Sequence, residues 1–79
     1  MLINDNNIEN LISIYPIPSK GEININSKYN IKEVSIYNIN GQLLSTLDER
    51  SFMIENPGLY FIKATDIFGN INIKKIIIE

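Results

Sequence analysis

The chain contains no histidine and no cysteine. That removes the commonest general base, the usual zinc ligands and the strongest side-chain nucleophile together. A serine nucleophile would then need a lysine base, and no Ser-x-x-Lys motif sits at a helix start. Among carboxylates, Asp48-Glu49 falls in a strand-to-strand loop, where adjacent acids are solvated rather than coupled. Asp5-Asn6-Asn7-Ile8-Glu9-Asn10 has some of the oxygen donors of a calcium loop. It lacks the glycine of the sharp turn and the closing bidentate acid, and reads better as a polar tail. Asp66, ahead of Gly69-Asn70, fits a hairpin-turn aspartate better than a lone oxygen ligand. The residue chemistry predicts no catalytic group, no metal and no cofactor.

Tyr15, Tyr29, Tyr37 and Tyr60 offer aromatic faces of the kind that stack on sugars. They lie in different strands or loops, and no tryptophan accompanies them, so core or half-core roles fit them better. Tyr60 follows a turn at the start of a late strand, the place of a tyrosine corner whose hydroxyl bonds the backbone upstream. Lys74-Lys75 is a weak basic spot with two readings. Charge on a terminal strand discourages sheet-to-sheet aggregation, and the same pair could serve recognition. The sequence favours neither.

The elements around these residues read as short strands. Residues 1–10 are polar, Asn-rich and without period, a linker or tail ahead of a domain over residues 11–79. Leu11 to Tyr15 alternates, with Ile12 and Ile14 on one face. Pro16 and Pro18 end that ladder because proline has no amide hydrogen to donate. Glu22 to Asn26 alternates around Ile23 and Ile25. Glu33 to Ile39 follows, with Val34 and Ile36 inward, and Asn40-Gly41 suits a two-residue type I′ hairpin into Gln42 to Leu47. Ser51 to Ile54 is a short fifth strand. Asn56-Pro57-Gly58 fits a type II turn. Tyr60, Ile62 and Ala64 form the inward face of a sixth strand, with Phe61, Lys63 and Thr65 opposite. Gly69-Asn70 turns the chain into Ile71 to Ile78. There the inward set changes from Ile71 and Ile73 to Ile76 and Ile78, which predicts a β-bulge at Lys74-Lys75.

Seven short antiparallel strands with turn signals between them predict an all-β, immunoglobulin-like β-sandwich. With 79 residues there is one domain at most, burying only about 60% of its unfolded surface. A net charge of −2, from seven basic and nine acidic residues, gives no footprint for nucleic acid or an anionic membrane. The apolar runs are far short of the roughly 20 residues that span a bilayer, so no membrane insertion is expected. Met1-Leu2-Ile3-Asn4-Asp5 has neither a basic nor an apolar region of a signal peptide. An exported form would carry its signal on a longer precursor.

Four blocks of this chain also carry a resemblance. Tyr15, Pro16, Pro18 and Gly21 stand at the offsets of a Tyr-Pro-Asn-Pro-x-x-Gly motif. Val34, Ile36, Tyr37, Asn38, Gly41, Gln42 and Leu43 match Val-x-Ile-Tyr-(Asp/Asn)-x-x-Gly-(Gln/Lys/Arg)-(Leu/Val). Gly58 and Tyr60 match a late Gly-x-Tyr, and Lys75, Ile76, Ile77 and Ile78 match a closing Lys-(Ile/Val)-rich strand. In this order, over residues 11–79, the chain resembles the C-terminal sorting domains of the type IX (Por) secretion system. It departs at Ile17, where the family has asparagine between the prolines, and at Glu79, where it has a basic or short polar end.

The resemblance implies a secretion address on an N-terminal cargo protein. Similar domains reach the periplasm by an ordinary signal peptide and are recognised there, folded, by the outer-membrane translocon. A sortase-like protease then removes the domain and leaves the cargo secreted or at the cell surface. Cleavage is expected upstream of Leu11. The loop Pro16 to Gly21 and the last strand, Lys74 to Ile78, are the expected recognition surface. A terminal edge strand could add a partner strand, or pair two copies into a homodimer. The rival readings are an immunoglobulin- or fibronectin-like spacer and a carbohydrate-binding accessory module of a surface enzyme.

Overall fold

The computed structural model describes residues 11–79. The readings placed on residues 1–10, a linker and a partial calcium loop, lie outside the described residues. The strands are β1 (Ile12–Tyr15), β2 (Glu22–Ser27), β3 (Ile31–Tyr37), β4 (Leu43–Leu47), β5 (Ser51–Met53), β6 (Gly58–Asp66) and β7 (Ile71–Ile78). They form two antiparallel sheets, one ordered β1-β2-β5 and the other β4-β3-β6-β7. The sandwich matches the sequence expectation. Its strand grouping differs from the immunoglobulin constant type, in which the fourth strand lies beside the fifth. Here β4 stays with β3, because the hydrogen-bonded turn at Asn38–Gln42 sends the chain straight back along β3.

Period-two alternation places the core. Ile12, Ile14, Ile23, Ile25, Val34, Ile36, Ile62, Ala64, Ile76 and Ile78 point between the sheets, and Ile54 joins them just after β5. β-branched side chains suit this role, since they are stiff and pack well on a pleated surface. Each such isoleucine contributes about 1.5–3 kcal/mol by leaving water.

Three turn and register expectations are corrected. The β3–β4 connection is not a two-residue type I′ turn at Asn40-Gly41. Gly41 N–H donates to Asn38 O (3.0 Å) and Asn38 N–H to Gln42 O (3.0 Å), with Gly41 at φ +81°. That is a three-residue loop, a turn over Ile39-Asn40 followed by a left-handed glycine. β3 accordingly ends at Tyr37, not Ile39. Gly58 is not the third residue of a type II turn. Its φ of +147° is far from the roughly +80° such a turn needs, and it opens β6, opposite Ile78.

The third correction concerns β7, which carries no bulge. Its register against β6 runs unbroken from Gly58↔Ile78 to Thr65↔Ile71. The inward set is Asn72, Lys74, Ile76 and Ile78, while Ile71 and Ile73 face outward at 40% and 58% exposure. The phase change in hydrophobicity arose because a buried polar residue, Asn72, occupies an inward position. Its Nδ2 donates to Ile12 O (2.8 Å), tying β7 to β1 in the other sheet. The irregularities lie in β3, at Ile36/Tyr37 against β4 and at Ile31/Glu33 against β6. This phase is testable: Ile76→Ala should cost about 2–5 kcal/mol in urea unfolding, as buried Ile→Ala changes do. Ile73→Ala should be nearly neutral, and a reversed order would restore the bulge.

Candidate recognition surface

The loop from Pro16 to Gly21 joins β1 to β2. Both the Tyr15–Pro16 and Ile17–Pro18 bonds are cis. Tyr15 and Ile17 project outward, 47% and 46% exposed, while Ser19 turns in and is 2% exposed. Ser19 N–H donates to Ile77 O (2.8 Å), and Ser19 O accepts from Glu79 N–H (2.8 Å). These two bonds form a parallel bridge onto Ile78, so the loop covers the last part of the β7 edge. Ser19 Oγ accepts from Gly21 N–H (2.9 Å) and donates to Glu22 O.

Gly21 fixes the other end of the loop. Its O accepts from Ile54 N–H at 2.8 Å. A Cβ there would stand 3.0 Å from Met53 Cε and 3.1 Å from Ile54 O, and φ is +132°. Only glycine fits without displacing the chain after β5.

Register shows where the other motif residues fall. Tyr37 pairs with Phe61, which pairs with Lys75, and Gly58 pairs with Ile78. The ends of β3 and β7, the starts of β4 and β6, and the Pro16–Gly21 loop therefore share one end of the sandwich. Tyr15, Pro16, Pro18, Gly21, Asn38, Gly41 and Gly58 all lie in or beside the turns of that end. The β2–β3, β4–β5 and β6–β7 connections lie at the other. There Ile67 N–H donates to Asn30 O, and the Arg50 guanidinium donates to Ser27 O and Tyr29 O.

Several singled-out residues do structural work. Asn38 Oδ1 accepts from the N–H groups of Asn40 (2.9 Å) and Gln42 (3.0 Å), holding the β3–β4 turn. Tyr60 makes the expected corner, its hydroxyl donating to Asn56 O (2.7 Å). Ile76 and Ile78 are buried in the core, so only Ile77 of that trio presents its side chain outward, at 41% exposure. Lys74 and Lys75 point to opposite faces of β7, half-buried and exposed, and so do not form one basic spot. The four tyrosines sit on β1, the β2–β3 connection, β3 and β6 and make no common platform, with Tyr29 edge-on to Phe68 (4.8 Å between ring centroids). Among the described residues no group of three ligating side chains could hold a metal ion.

Sequence reasoning missed Ser19 and Asn72. A serine after proline and an asparagine in a chain rich in asparagine look like ordinary loop and turn residues. Their signal was positional: Asn72 stands where strand alternation demands an apolar side chain. Ser19→Ala leaves the buried Gly21 N–H without its acceptor and should cost about 1–3 kcal/mol in chemical unfolding. The Glu79 amide should exchange faster in that variant, and an unchanged rate would show the bridge to be independent of the hydroxyl.

Asp66 repeats the Asn38 turn at the opposite end. Gly69 N–H donates to Asp66 O (3.1 Å), Asp66 N–H to Asn70 O (3.0 Å), and Gly69 has φ +87°. Asp66 Oδ1 accepts from Phe68 and Asn70 N–H, both 2.9 Å, and Oδ2 from Asn70 Nδ2 at 2.9 Å. Asp66 has no accessible surface. Desolvation raises its pKa; the hydrogen bonds from the Asn70 side chain and from the backbone of Asn70, Phe68 and Gly69 outweigh it. The carboxyl therefore titrates below its ordinary value. A depressed carboxyl contributes stability above its unfolded pKa and loses it as pH falls through the folded one. Asp66→Asn keeps the Oδ1 acceptor, as Asn38 does, and removes the titration. Its thermal midpoint should fall less steeply than the wild-type midpoint between about pH 5 and about pH 2.

Fold and site together define a small β-sandwich module whose distinctive residues shape turns and strand edges at one end. A family model described as a secretion system C-terminal sorting domain matches residues 13–79. The chain belongs to that family, the sorting domains of type IX secretion. Such a domain is not a catalytic family; it implies attachment to an N-terminal cargo, interaction with the secretion machinery, and a secreted or cell-surface protein. Comparison with curated proteins found no match.

Proposed function

We infer that residues 11–79 are a prefolded address, joined through a linker over residues 1–10 to a cargo that it directs through the outer-membrane type IX translocon. The recognised surface is the end of the sandwich carrying the Pro16–Gly21 loop and the end of β7. The observation that carries this reading is the Ser19 bridge, which joins the first and last motifs into one continuous surface. A surface fixed by hydrogen bonds and by proline loses little ordering entropy on docking. The route runs through the periplasm, and a sortase-like protease cuts upstream of Leu11. Glu79 and Ile17 both lie at this surface, so the two departures from the family motif alter what a receptor would touch.

Strand addition along β7 has a narrower opening than the sequence suggested. Ile77 O and Glu79 N–H face the Pro16–Gly21 loop, so by alternation the backbone groups of Ile73 and Lys75 point to the same edge. Among the described residues no backbone bond reaches those two from that side. A partner strand, or a second copy, would pair there.

Deleting Lys74 to Glu79 from a cargo fusion should abolish export. The deletion also removes Ile76 and Ile78 from the core, so surface variants are the sharper test. Tyr15→Ser, Ile17→Asp and Ile77→Asp, each at a side chain outside the core cluster, should together lower the unfolding midpoint but leave the chain folded. They should lower export of a reporter fusion about tenfold, equivalent to about 1.4 kcal/mol of lost binding. Normal export of a folded triple variant would remove the proposed surface.

A further inference from the structure

The four-stranded sheet is wider than the three-stranded one, and among the described residues nothing covers the excess. On the side away from β7, β4 and β5 are both edge strands, each bonded to a neighbour on one side only. Between them lies a groove of about 430 Å³. Its floor reaches Ile36 and Ile54, the two most exposed members of the core, at 7% and 9%. Its walls are Leu44, Leu47, Phe52, Met53 and Tyr60. Leu44 is 49% exposed and Met53 65%.

The β3–β4 irregularity builds one wall. Ile36 pairs with Ser45 but Tyr37 pairs with Leu43, which leaves Leu44 as an extra residue. Two consecutive residues at a bulge can face the same way, and Leu44 and Ser45 both line the groove. A strand in strict alternation would have turned Leu44 away.

Among the described residues the only charged ones lining it are Glu49 and Glu55. We propose that the β4–β5 groove is a docking site for an extended, basic-apolar segment of a partner polypeptide. An aliphatic side chain of that segment fills the cleft over Ile36 and Ile54. Flanking Lys or Arg residues meet Glu49 and Glu55, and its backbone pairs with a free strand edge. Charge selects this occupant. Residues 1–10 contain Asp5 and Glu9 and no lysine or arginine, so the chain's own leading segment meets like charge there. The inference stands apart from the export reading, because it concerns a different side of the four-stranded sheet and is read by binding rather than by secretion.

The test titrates the isotope-labelled chain with a capped Lys-Ile-Lys-Ile-Lys peptide and follows backbone amide shifts. Controls are the Glu-Ile-Glu-Ile-Glu and Lys-Ser-Lys-Ser-Lys versions, which lack the charge and the apolar element respectively. The expected shifts fall on β4 and β5 with the first peptide and are absent with both controls. Glu49→Gln with Glu55→Gln should weaken binding about two- to fivefold, as for exposed ion pairs. Leu44→Asp, at an exposed position, should abolish it while the chain stays folded. Undiminished binding by both variants, or no shifts on β4 and β5 with the first peptide, overturns the proposal. Concentration-dependent shifts on these strands without peptide would assign the groove to a second copy and overturn it equally.

Discussion

Isoleucines from two sheets of unequal width meet between them, and the rest of the domain follows from how that mismatch is distributed. On the β1/β7 side the sheets are drawn together. Asn72 bonds Ile12 O across the gap, and Ser19 covers the end of the β7 edge. On the β4/β5 side no such bond between the sheets occurs among the described residues, and the core comes close to the surface at Ile36 and Ile54. A chain of this size has little apolar surface to spare, so closing one side and leaving the other open is a consequential use of it.

The closed side uses bonded polar atoms as well as the buried isoleucines. Ser19 is almost fully buried, yet both its backbone groups and its hydroxyl are bonded. Buried polar groups are costly only when unsatisfied, and satisfied ones fix a unique arrangement. This is why a loop with two prolines and a glycine can hold one shape against β7. The same economy appears in the two hairpins of the larger sheet. Asn38 and Asp66 use one side-chain oxygen to satisfy two backbone amides, and a left-handed glycine follows each at the same offset.

Several family motifs thereby acquire physical reasons. Gly21 is favoured because its φ of +132° strains any other residue and a Cβ would crowd Ile54 O at 3.1 Å. Asn38 and Gly41 make one turn, and Tyr60 pins the entry to β6 through Asn56. The motifs are separated in sequence because consecutive strands run up and down, so one end of the sandwich is visited only by alternate connections.

Much of the fold was legible in the sequence because strand alternation is local. Ile12, Ile14, Ile23, Ile25, Val34, Ile36, Ile62 and Ala64 could be assigned inward from spacing alone, and the prolines and glycines marked the breaks. Where the inference slipped, at β7, hydrophobicity had been taken as the sign of burial. Asn72 is buried because Ile12, 60 residues away in sequence, supplies its acceptor. The three-residue β3–β4 loop was misread because Asn-Gly suits two turn types, and the Asn38 side chain decides between them. The sequence by itself determined which residues could form strands, which face of each could be apolar, and where the chain could turn. Only the tertiary structure decided the partners of Ser19 and Asn72, the gathering of the motifs at one end and the opening between β4 and β5. Those depend on contacts between distant segments, for which local spacing carries no physical signal.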